Sequence, residues 1–144
     1  SMGAVTALLY AGNSTNQADF YIADCAFSDF PTIIKERYKH SYPFLPIFPF
    51  FWISKWIWKK KLGFDWAAIS PIHFMQNIQK PTLLIHTEKD CFTSIAHSER
   101  LHQIYPEGST LVVLPEGGHA QAIVKNQEKY AQTVDEFLSK HHLQ

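Results

Sequence analysis

Cysteine is nearly absent from this sequence, with Cys25 and Cys91 as its two examples. Two thiols make no disulfide framework, so the fold must rest on its core, and a reduced, cytoplasmic setting is the expected one. Long apolar runs are missing too: no stretch reaches the about 18 residues of a membrane span, and nothing reads as a signal peptide. Stable membrane insertion is therefore not expected. Charge of one sign is the third absence, since 13 basic and 13 acidic side chains cancel. Without a basic stripe, nucleic acid is not an expected partner. No internal repeat or low-complexity tract interrupts the chain. What is present is apolar material, 46% of 144 residues, enough for one domain with a sizeable core.

The most informative stretch is Pro-Thr-Leu-Leu-Ile-His-Thr-Glu-Lys-Asp at 81–90. Thr82, Leu83, Leu84 and Ile85 show no polar alternation, the pattern of a strand buried on both faces of a parallel sheet. Asp90 follows that strand, and in open α/β sheets the chemistry gathers beyond the carboxyl ends of the strands. A second unit repeats the arrangement: Ser-Thr-Leu-Val-Val-Leu at 109–114 is another apolar run, and Pro-Glu-Gly-Gly-His after it delivers His119. Two successive strands thus end in an acid and then a histidine. That order directs attention upstream for a nucleophile, and the chain opens with Ser1-Met2-Gly3-Ala4 running into a helix-like segment.

Ser-Met-Gly-Ala matches the second half of a G-x-S-x-G nucleophile elbow, in which a serine sits on a tight turn between a strand and a helix. Together with Ile-Ala-Asp-Cys-Ala-Phe-Ser-Asp at 22–29, the strand ending at Asp90 and the Gly-Gly-His turn at 117–119, it makes the chain resemble the α/β-hydrolase superfamily. Bacterial serine hydrolases of the esterase or peptidase-like kind are the nearest match. The resemblance covers nearly the whole chain but only the later half of that fold. An elbow serine has a strand before it and a glycine two residues earlier. Either the chain is part of a longer hydrolase, or Ser1 stands ahead of a start at Met2.

The resemblance implies a catalytic triad of Ser1, Asp90 and His119, an oxyanion donor in the Met2 backbone N–H, a small-molecule acyl substrate, and neither cofactor nor metal. The expected reaction is hydrolysis of a carboxylic ester or related acyl bond through an acyl-serine intermediate. A second oxyanion donor normally comes from a loop near the start of the fold. Weak or absent activity is therefore expected of this chain alone. The alternative is a non-catalytic hydrolase-fold fragment or interaction module.

Along the chain, residues 2–12 read as a helix stopped by Gly12 and Asn13, followed by a polar loop at 13–17. Residues 20–23 read as a strand, after which Ser28 or Asp29 caps a helix with Pro31 in its first turn. Helical patterns recur at 94–105 and at 120–141, the last with Ile123, Val124, Tyr130, Val134, Phe137 and Leu138 largely on one stripe. Alternating strands and helices predict an α/β fold of about three parallel strands with flanking helices. The resemblance implies that residues 1–144 form one unit, the carboxyl-terminal portion of an α/β-hydrolase domain. A strand of the complete fold would lie beside 20–23, so that edge is expected to be open and to pair with a second copy or a complementary amino-terminal fragment.

Residues 42–66 differ from everything else, crowding aromatic side chains together with Pro43, Pro46 and Pro49. Helical spacing begins at Phe50 and ends in Lys59, Lys60 and Lys61, cations that favour a helix C-terminus. The resemblance makes this window a cap insertion, with Phe48, Trp52 and Trp56 as substrate-binding residues of an apolar pocket. Ordinary packing is the plainer reading. A membrane-surface role is disfavoured, because three prolines break any long amphipathic helix.

Other residues carry plainer readings. Cys25 and Cys91 read as small, partly buried hydrophobes, and Asp24 as bonded within its own loop. His97 and His102, five apart, do not share a helical face as a metal pair would. His86 reads as packed beneath the acid loop. Thr87 stands where the superfamily often has glycine, which questions how tightly that loop turns.

Overall fold

The computed structural model describes residues 1–13, 18–63 and 65–143; the stretch 14–17, read above as a loop, and Phe64 lie outside them. The elements are α1 (Met2–Asn13), β1 (Tyr21–Asp24), α2 (Phe30–Ser41), α3 (Phe50–Leu62), β2 (Thr82–Thr87), α4 (Ala96–Ile104), β3 (Ser109–Leu114), α5 (Ala122–Lys125) and α6 (Gln127–Lys140). Three short 3₁₀ turns, Trp66–Ile69, Pro71–His73 and Met75–Asn77, return the chain from α3 to β2.

Among the described residues the sheet has three strands in the order β1-β2-β3, all parallel. Its central strand is buried along its whole length, as a run without polar alternation requires. Because side chains alternate across a strand, β2 divides between two cores. Leu84 joins Val5, Leu8, Ala23, Met75 and Leu101 on the face covered by α1, α4 and the 3₁₀ turns. Leu83 and Ile85 meet Leu114, Ala122 and Phe137 on the face covered by α6. His86, in phase with Leu84, consequently faces α4.

Strand β1 forms one edge of the sheet. Tyr21 N donates to Pro81 O and Cys25 N to Ile85 O. Alternation then turns the amides of Ile22 and Asp24 away from β2.

Local chemistry explains most boundaries. Asp29 caps α2, its carboxylate accepting from Thr32 N at 3.0 Å, with proline in the first turn. The expected helix over 120–141 is instead two helices that break at Asn126. The Asn126 amide donates to Glu116 O at 2.7 Å and accepts from Glu116 N at 3.3 Å, bonds that hold the break against the loop after β3. Thr87 needs no glycine-like conformation: it ends β2 without a positive φ, and its hydroxyl donates to Gly118 O at 3.3 Å.

Candidate active site

Both loops that follow the central strands converge at the carboxyl edge of the sheet. His119 Nδ1 lies 2.9 Å from Asp90 Oδ2. The Asp90 side chain is fully buried, and that of His119 is 25% exposed, so the ring reaches solvent while its partner does not. Asp90 Oδ1 accepts from Phe92 N at 2.8 Å and Thr93 N at 2.9 Å. One oxygen therefore holds the loop and the other holds the imidazole.

His86 supports the same carboxylate from below. Its Nε2 donates to Thr93 O at 2.8 Å, which leaves Nδ1 to accept from Ser98 Oγ at 2.8 Å. Nε2 also lies 3.5 Å from Asp90 Oδ2. Burial raises the cost of charge on Asp90, but hydrogen bonds from His86, Thr93, His119 and Phe92 outweigh it and hold the carboxyl well below the usual range. An ionised Asp90 makes His119 Nδ1 a donor, and Nε2 is then the ring's free base.

The histidine loop is built to hold that ring. Gly117 takes φ 96, where an added Cβ would meet Gln121 O at 3.0 Å. Phe92 lies over the imidazole with centroids 4.7 Å apart. Arg37, from α2, sits 4.6 Å from the Phe92 ring centre and donates to Cys91 O and Phe92 O. An exposed ion pair, Lys89 to Glu116 at 2.6 Å, ties the acid loop to the histidine loop.

Ser1 stands at the start of α1, where its carbonyl accepts from Val5 N at 3.0 Å. Burial pushes the Cys25 thiol up, with the Ser1 amino group opposing that rise. Cys25 is buried, adopts φ 47 just past the end of β1, and has Sγ within 4.8 Å of an Asp90 oxygen and a His119 nitrogen. Ser1, Cys25, Asp90 and His119 therefore share one edge. Among the described residues, Cys25, Asp90 and His119 are the trio with atoms near enough to hold a metal ion. Asp24 lies alongside: burial raises its carboxyl, while the Ser1 amino group and the Cys25 thiol oppose that rise.

Cys25 is buried, as expected of a small hydrophobe, and its position past a strand end also sets it beside the acid and the histidine. Asp24 Oδ1 is buried without a hydrogen-bond partner, so the loop bond expected for it does not satisfy that atom. His97 is also a packed residue: Nδ1 accepts from Ser28 N, and Nε2 donates to Glu36 at 2.9 Å. Its burial lowers its proton affinity, with Glu36 opposing.

The three aromatic residues expected to bind substrate are largely exposed. Phe48, Trp52 and Trp56 are 68%, 60% and 62% exposed. The inward stripe of α3 is instead Phe51, Ser54, Lys55 and Trp58, of which Phe51 and Trp58 pack edge-on against the buried Trp66.

The model of a family described as TAP-like protein, an α/β-hydrolase family, matches residues 51–144. The uncharacterized protein YqkD of Bacillus subtilis (strain 168) is 39% identical over 139 residues, or 96% of this chain and 45% of that protein. The chain thus spans less than half the length of that relative. An esterase of Pyrococcus furiosus superposes with a TM-score of 0.67 at 18% identity, over 97% of this chain and 51% of its own. An acylaminoacyl peptidase of Pyrococcus horikoshii gives 0.67 at 18% identity, over 95% and 22%. MenH from S. aureus gives 0.64 at 16% identity, over 99% and 66%. At such identities these structures speak for the fold alone.

Proposed function

The chain belongs to the TAP-like family of α/β hydrolases, and from that premise we propose that it carries the catalytic residues of a serine hydrolase acting on a carboxylic ester or related acyl bond. The observation that supports this reading most is the His119 to Asp90 hydrogen bond, made by loops that leave adjacent parallel strands.

In this mechanism the Ser1 hydroxyl attacks the acyl carbon while His119 Nε2 takes its proton. Asp90 holds the tautomer and stabilises the imidazolium formed. The Met2 N–H, next to the nucleophile, donates to the developing oxyanion. His119 then protonates the leaving oxygen, and water, activated by the same ring, releases the acyl group from Ser1. No metal or cofactor takes part. Loss of one oxyanion donor costs on the order of 10²- to 10³-fold in rate. With Met2 as the single assigned donor, the chain assayed alone is expected to turn over weakly. A second copy, or a complementary amino-terminal fragment, is the proposed partner, pairing along β1 where the Ile22 and Asp24 amides point outward. A reducing cytoplasm is the proposed compartment, since both cysteines are free thiols.

The test is fluorophosphonate labelling with peptide mapping, beside Ser1→Ala and His119→Ala controls, with and without that amino-terminal fragment. Label on Ser1 that both substitutions abolish supports the assignment. A folded sample that takes no label in either setting contradicts it and leaves a non-catalytic hydrolase-fold module.

A further inference from the structure

Helix α3 has two apolar faces. Its inner stripe, Phe51 and Trp58 with Ser54 and Lys55 between them, packs toward Phe30 and Trp66. On the opposite side, Trp52, Ile53, Trp56 and Ile57 follow helical spacing and are each 42% exposed or more. The apolar surface extends into the preceding segment, where Phe44 is 96% exposed and Phe48 68%. No residue of α3 is buried. A helix with two apolar faces normally has a second partner.

The charge around this face narrows what that partner is. Residues 37–64 hold six cations, Arg37, Lys39, Lys55, Lys59, Lys60 and Lys61, and no carboxylate, in a chain whose formal net charge is zero; Asp65, next along, pairs with Lys55 and Lys59 at 3.8 Å. Lys60 follows Trp52 and Trp56 at four-residue steps, so it stands on the outer stripe itself. Lys59 and Lys61 flank it. Neither Lys60 nor Lys61 belongs to an ion pair among the described residues. Isologous pairing of two copies would bring two such cationic borders into one interface, at a cost in repulsion. An anionic lipid surface satisfies both halves of the pattern: Trp and Phe rings enter the headgroup boundary, and lysines meet the lipid phosphates. The prolines do not stand against this, because all three precede α3, which runs unbroken for 13 residues, or about 20 Å.

We propose that the outer face of α3 is a reversible docking surface for an anionic membrane, with Trp52 and Trp56 at the lipid boundary and Lys59, Lys60 and Lys61 on the headgroups. The contact is interfacial, since no helix among the described residues is long and apolar enough to cross a membrane. It does not depend on the chemistry assigned to Ser1.

The experiment is co-sedimentation of the purified chain with phosphatidylcholine vesicles with and without phosphatidylglycerol, alongside tryptophan emission and quenching by brominated lipid. Binding is expected on the anionic vesicles alone, weakening with salt, with a blue-shifted and quenched emission. The triple variant Lys59→Gln, Lys60→Gln, Lys61→Gln is expected to lose binding on the order of 100-fold, and Trp52→Ser with Trp56→Ser to remove the quenching. Each variant alters exposed side chains, and circular dichroism checks that it is folded. Absence of binding to both vesicle types overturns the proposal. So does binding that ignores the lysines and lipid charge. A concentration-dependent dimer dispersed by the tryptophan changes, without vesicle binding, overturns it in favour of a second copy.

Discussion

The carboxyl edge of the sheet and helix α3 are built on opposite terms. At the sheet edge the acid and the histidine beneath it have fixed partners: Asp90 receives two backbone amides and His119, and His86 is held at both ring nitrogens. On α3 nothing is buried, and its outer side chains Trp52, Ile53, Trp56 and Ile57 are each 42% exposed or more. A buried polar group must be paired or it costs free energy, so burial enforces one geometry. An exposed apolar stripe carries no such demand. The first region is preorganised for chemistry, and the second is available for contact.

Substitutions should separate the two regions. The largest effect is expected from Asp90→Asn, which leaves the fold but supplies the wrong hydrogen-bond partner to His119 Nδ1. Ester hydrolysis, or the rate of fluorophosphonate labelling, should fall about 10⁴-fold, as in triads where the acid is neutralised. An unchanged rate would remove Asp90 from the mechanism.

Next comes the core of the sheet. Leu84 is fully buried in β2, and Leu84→Ala should cost about 3–5 kcal/mol in urea unfolding. Trp56→Ser, on the outer face of α3, should stay within about 0.5 kcal/mol in the same assay. A large loss at Trp56 would show that the outer stripe is structural after all.

Acid should destabilise the sheet edge in two stages. His97 has a folded-state proton affinity below its unfolded value, so its contribution is present above about pH 6.5 and declines as pH falls through the folded pKa. Asp90, also depressed, keeps its contribution until pH drops below about 4, then loses it as the carboxyl protonates. Thermal melts across that range, compared with His97→Gln, should show the upper stage vanish in the variant. The smallest effect is expected at the exposed Lys89 to Glu116 pair, where Lys89→Ala should cost less than about 1 kcal/mol in urea unfolding, and less still in high salt.

Much of this was legible from residue patterns. The run at 82–85 and the run at 109–114 announce buried parallel strands, and both are strands. Asp90 and His119 were singled out because they follow those strands, and they meet at 2.9 Å. A cap at Ser28 or Asp29 before the proline was legible, and the structure uses Asp29. What periodicity missed was long-range. Nothing local marks Asn126 as a helix break, because the bonds that hold it go to Glu116, ten residues back. Nor does spacing say which of two apolar faces of α3 turns inward: Phe51 and Trp58 were chosen over Trp52 and Trp56 by the position of Trp66.

By itself the sequence determined the element types, the parallel sheet and the order of serine, acid and histidine, since these follow from side-chain periodicity and from the rule that loops leave strands at their carboxyl ends. Tertiary structure decided which atoms meet. It brought Cys25 beside Asp90 and His119, placed His86 beneath the carboxylate, and left one stripe of α3 in solvent. Those outcomes depend on contacts between residues far apart in the chain, and burial and pairing there are set by packing that no local pattern encodes.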